Sequence, residues 1–157
     1  MSKGPDHFIT FRSNLFSMEE QDHYINPCCF CEDLAVWLGE RLSTALPSMA
    51  SDVYQEDFGW VVDLVPQGET YVIMVVAQTF LLPGKETTSD EFGIYIWGRP
   101  PGLLRRLVSG TPATLVENTN LVVRAIDAAL HAETGIRQVE WWPEGFAVGA
   151  STPHPIV

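Results

Sequence analysis

The segment Tyr71–Phe80, YVIMVVAQTF, constrains this chain more than any other. A β-strand presents alternate side chains to opposite faces. The first half of this run is apolar on both parities, so it reads as a central strand covered on both sides. Its longest uninterrupted apolar stretch, Tyr71 to Ala77, falls far short of the ~20 residues that a membrane-spanning helix needs.

The neighbouring segments supply partners for that strand. Ser51 to Val65, SDVYQEDFGWVVDLV, reads as one long strand with Tyr54, Glu56, Phe58, Trp60, Val62 and Leu64 on one parity. Pro66-Gln67-Gly68-Glu69 is a turn signal, so the two strands form a hairpin. Glu91 to Trp97, EFGIYIW, is a further strand, ended by Gly98-Arg99-Pro100-Pro101-Gly102. Strands are also expected over His7–Arg12 (HFITFR) and Ile136–Trp142 (IRQVEWW).

Two helices interrupt the strands. Asn26-Pro27 suits an N-cap and a first helical position. Phe30, Leu34, Trp37, Leu38, Arg41, Leu42 and Ala45 then recur at helical spacing until Pro47. A second helix is expected from a cap at Asn118 or Thr119 to about Ala132, with Val122, Ala125, Ile126, Ala129 and Leu130 on its face. The stretch Thr111 to Val116 is ambiguous, and the tail 144–157 reads as loosely held. Strands joined by short turns are antiparallel. The expected fold is therefore a single α+β domain in the order β-α-β-β-β-α-β, an antiparallel sheet of about five strands with both helices on one face.

Charge narrows the functional classes. Nine Lys and Arg stand against 20 Asp and Glu, a net charge of −11, and only Lys3 and Lys85 are lysines. Without a basic cluster to neutralise phosphates, neither nucleic acid nor an anionic membrane surface is an expected partner. A basic partner is compatible with this balance, although solubility alone explains it more simply. Met1 to Pro5 is polar with no apolar signal region after it, so the expected location is the cytoplasm.

Three groups of residues stand out. Cys28, Cys29 and Cys31 crowd into four positions, with His23 upstream. Cys28-Cys29-Phe30-Cys31 has one CxxC spacing, but no second pair and no distant cysteine completes it, so neither a metal site nor a disulfide framework is expected. Cys28 and Cys31 could share a helix face and, near a helix N-terminus, become reactive thiols. Ordinary packing of small apolar side chains accounts for them more simply.

The second group is Glu56-Asp57-Phe58-Gly59-Trp60. Adjacent strand carboxylates point to opposite faces and cannot form an acid/base dyad. Glu56, set beside Tyr54 and Trp60, is a candidate for a carboxyl with a raised pKa. The Glu-Asp-Phe-Gly-Trp run resembles one borne by a group of small bacterial proteins with Glu-Asp-Phe/Trp-Gly-Trp on a strand. By order of elements the resemblance extends over residues 50–142, through Val139-Glu140-Trp141-Trp142. It implies an α+β domain of bacterial type and carries no catalytic role.

The third group is Tyr95, Trp97, Arg99, Trp141 and Trp142, residue types that dominate binding hot spots. Tyr95 and Trp97 share one parity while Phe92, Ile94 and Ile96 share the other. With helices on one face only, one row faces outward and can form a groove or a dimer contact. The chain has no GxGxxG, P-loop, HExxH or GxSxG, so no cofactor is expected. The reading is a non-catalytic interaction protein, an immunity or antitoxin role being one version, that binds a protein partner or a second copy through Glu56, Trp60, Tyr95, Trp97, Arg99 and Trp142. The alternative is a small-molecule site or weak enzyme around Glu56 and Arg99, using Tyr54 and Trp97.

Overall fold

The computed structural model describes residues 6–17, 21–25, 31–79, 90–99, 112–143 and 150–157. In chain order they form β1 (Asp6–Ser13), α1 (Glu32–Ala45), β2 (Met49–Glu56), β3 (Gly59–Pro66), β4 (Val72–Thr79), β5 (Glu91–Arg99), α2 (Ala113–Ala132) and β6 (Ile136–Trp142). The strands make one six-stranded antiparallel sheet in the order β2-β3-β4-β5-β1-β6. Both helices pack on one face, as an α+β domain requires. None of the described helices is long and apolar enough to cross a membrane.

The sheet has one strand more than the pattern suggests. Ser51–Val65 is not one strand: Asp57 and Phe58 form a tight turn, and Glu56 pairs with Gly59. A two-residue turn inverts parity, so Tyr54 and Glu56 share a face with Val61 and Asp63, not with Trp60. Trp60 instead lies under the helices beside Val62 and Leu64.

The strand β4 is central and buried on both sides. Ile73, Val75 and Ala77 belong to the helix-covered core, while Met74 and Val76 belong to a smaller cluster on the opposite face. Around the first set, Ile9, Phe11, Phe92, Ile94, Ile96, Leu34, Leu38, Leu42, Val122, Ile126 and Leu130 close the main core. Phe11 stacks on Phe92 at 5.8 Å between ring centroids, and Phe16 meets Phe92 edge-on at 5.7 Å.

On α1 the buried residues Leu34, Ala35, Leu38, Gly39 and Leu42 form one stripe. Each buried Leu contributes roughly 1.5–3 kcal/mol, far above any propensity term, so packing holds this helix. Its N-cap position is Cys31, with Glu32 and Asp33 in the first turn, where the dipole favours negative charge. The start expected at Asn26-Pro27 lies outside the described residues.

Helix α2 starts at Ala113, five residues or more before the cap expected at Asn118 or Thr119. Tertiary contacts explain the longer element. Asn118 Nδ2 donates to the hydroxyl of buried Tyr71 at 2.6 Å, and that hydroxyl donates to Thr114 Oγ1 at 3.1 Å. Thr119 bonds back to the Leu115 carbonyl at 2.7 Å and is fully buried. A Cβ on Gly98 would lie 2.9 Å from Thr119 Oγ1 and 3.2 Å from Leu115 Cδ1. Gly98 therefore extends β5 rather than ending it, and lets α2 approach the sheet.

The pattern of β6 resolves through a bulge. Ile136, Val139 and Trp141 are all buried, although a strict period of two cannot place them on one face. The β1–β6 register shifts between Thr10 and Arg12, and Gln138 takes a φ of 54°. That extra residue turns both halves of the apolar set toward the core.

Candidate interaction face

The face of the sheet away from the helices carries a continuous register row. Tyr54 pairs with Val61, Val61 with Val76, Val76 with Tyr95, Tyr95 with Phe8 and Phe8 with Trp142. At the usual strand spacing the row spans about 24 Å. Beside it runs a second row, Asp52, Asp63, Met74 and Trp97.

The face is not uniformly open. Val61 is fully buried, and Val76 and Met74 nearly so, with Tyr54, Val72 and Tyr95 packed around them. Trp97 is 38% exposed, the most open large aromatic of this face. Phe8 and Trp142 are half-buried at the other end, where Trp142 Nε1 donates to Thr10 Oγ1 at 2.9 Å. A shallow recess there is lined by His7, Phe8, Trp141, Trp142 and the tail residues Pro155 and Ile156.

Acidic groups surround the apolar row. Asp52, Glu56, Asp63 and Glu140 share the face by register. Arg12 is neutralised by Glu91 at 2.9 Å, and Arg137 by Asp90 at 2.7 Å. The hydroxyl of Tyr54 donates to Asp63 Oδ2 at 2.8 Å, while Asp63 Oδ1 is buried without a hydrogen-bond partner. Burial, then the hydrogen bond to Asp63 and the charges of Asp63 and Glu56, push the Tyr54 phenol up to about 12, with Arg99 opposing.

The expected site residues are brought together only in part. Tyr95, Trp97, Arg99, Trp142 and Glu56 share the outward face. Trp60 does not: it is 8% exposed in the main core, its ring 5.4 Å from Tyr24 and its indole nitrogen without a partner. Glu56 pairs with Gly59 and Arg99 with Val72, so their backbones stand three strands and three register rows apart, about 25 Å. They do not line one enclosed site. Trp141 lies in the main core, opposite to its neighbour Trp142. Cys31 is wholly buried at the N-terminus of α1, and Cys28 and Cys29 lie outside the described residues.

One cluster escaped the sequence reading. Asp127, His131 and His154 meet beside β6, joining α2 to the tail. The spacing of Asp127 and His131, one helical turn apart, is a visible signal. His154 gives none, because only the folded tail brings it there. Of the segment expected to be loose, residues 144–149 lie outside the described part. Residues beyond them are attached by paired Trp141 and Thr152 hydrogen bonds of 2.7 and 2.9 Å.

Comparison of the chain with family models, curated proteins and solved structures finds no match. The geometry of the face is accordingly the ground for a functional reading.

Proposed function

We propose that this protein is a non-catalytic interaction protein that docks a basic partner protein on the outward sheet face. The observation carrying this reading is the aromatic row Tyr54–Tyr95–Phe8–Trp142 with open Trp97 beside it, edged by carboxylates. Aromatic side chains offer large contact area at low entropic cost, and surrounding acids steer a cationic partner. Arg99, at the exposed end of β5, adds a directed donor. A narrower form of the proposal is an immunity-type protein that neutralises a basic toxin, resting on the same charge complementarity.

The test uses the full chain and a Trp97→Ala variant as immobilised baits. A basic protein retained by the first bait and lost by the second, then confirmed with purified components in calorimetry, supports the reading. Equal retention by both baits refutes it. A dimeric mass by light scattering that reverts to monomer in Trp97→Ala assigns the face to self-association instead.

A further inference from the structure

The tail of this chain meets α2 in a group of side chains with no evident role in docking a partner. Asp127 and His131 stand four residues apart on α2, and His154 arrives from the C-terminal segment. One ligand atom from each lies within 4.8 Å of the others. His154 Nδ1 donates to Asp127 Oδ2 at 3.0 Å, and His131 Nε2 is 3.3 Å from Asp127 Oδ1 and 3.0 Å from the Pro153 carbonyl. The two imidazole rings are 4.4 Å apart between centroids.

We infer that Asp127, His131 and His154 form a binding site for a divalent transition-metal ion, with Zn²⁺ the expected occupant. Two imidazole nitrogens and one carboxylate form a set suited to such ions, whereas Mg²⁺ and Ca²⁺ favour all-oxygen shells. Zinc–nitrogen bonds near 2.0–2.1 Å give tetrahedral edges of about 3.3 Å. The 3.0 Å from His154 to Oδ2 and the 3.3 Å from His131 to Oδ1 are each close to that edge, and with the three ligand atoms within 4.8 Å of one another, side-chain rotation would draw them onto one ion. His154 directs Nδ1 at this carboxylate, and an ion there would take the place of that bridging proton while His131 Nε2 exchanges the Pro153 carbonyl for the ion.

The supporting groups are fixed as a metal site requires. Trp141 Nε1 donates to Asp127 Oδ1 at 2.9 Å, orienting the carboxylate from the main core. Thr152 Oγ1 donates to the His154 carbonyl at 2.7 Å, and Thr152 is itself paired with Trp141. The side chain of His154 is 64% exposed and that of His131 37%, which leaves one side open for a water as fourth ligand. A bound ion would clamp the tail to α2 and β6.

The test is a zinc titration of the full chain after chelator treatment, read by competition with a chromophoric chelator and by thermal unfolding. One equivalent should bind and raise the melting temperature. Asp127→Asn, His131→Ala and His154→Ala should each weaken binding about tenfold or more and abolish the thermal shift. Co²⁺ in place of Zn²⁺ should show the intense visible bands of four- or five-coordination, lost in the same variants. Because His154 lies on an exposed tail, its variant should keep the circular dichroism of the parent. Absence of binding, or binding of equal strength in the His154 variant, overturns the assignment.

Discussion

The two faces of one sheet are stabilised very differently. Under the helices, Phe92, Ile94 and Ile96 of β5 are completely buried among residues from every other element. On the far side of the same strand, Tyr95 is half-buried and Trp97 open. Between them β4 contributes to both, with Val75 in the large core and Val76 in the small one. The contrast separates a surface built for stability from one built around aromatic rings, and substitution should move the two independently.

Phe92→Ala would test the first surface most severely. Loss of its contacts with Phe11 and Phe16 should cost about 3–5 kcal/mol in chemical denaturation. Met74→Ala should cost about 2 kcal/mol, the low end for such a truncation, because only a small cluster surrounds it. An equal loss from both substitutions would erase the distinction between the faces. Trp97→Ala should cost about 1 kcal/mol or less, since this ring is open to solvent, while abolishing the proposed partner binding.

The bulge in β6 offers a change of opposite sign. Gln138 holds a φ of 54°, which costs a residue with a Cβ about 1 kcal/mol. Gln138→Gly should therefore raise stability by about 0.5–1 kcal/mol without moving the open face. A loss of stability would mean that the Gln138 side chain, and not the bulge, is what matters there.

A further difference lies in pH dependence. Tyr54 titrates at about 12 in the folded protein against 10.0 for an ordinary phenol. The folded state thus holds this proton more tightly. Its contribution to stability is complete below pH 10 and disappears as pH rises through 12. Ultraviolet titration should show a late phenolate step that Tyr54→Phe removes, together with a shallower loss of stability in that window. An unchanged titration would disconnect Tyr54 from Asp63.

Periodicity made the central strand legible, because Tyr71–Ala77 leaves no polar face to expose. The parity of Tyr95 and Trp97 against Phe92, Ile94 and Ile96 was equally readable, since alternation is a property of the backbone. The hairpin at Asp57-Phe58 was not. Its residues fit a continuing strand, and only the pairing of Glu56 with Gly59 separates Trp60 from Tyr54 and Glu56. The start of α2 was likewise hidden, because Tyr71 and Gly98, distant in sequence, create the contacts that extend the helix to Ala113.

What the chain determined by itself is therefore its alternation, its helical stripes and its acidic balance, all of them local or summed properties. Tertiary structure alone decided which aromatic rings share the open face, where β6 bulges, and that His154 returns to Asp127 and His131. Each of these depends on contacts between segments far apart along the chain. Local pattern carries no record of such contacts, because chain closure and packing select them only when the whole core forms.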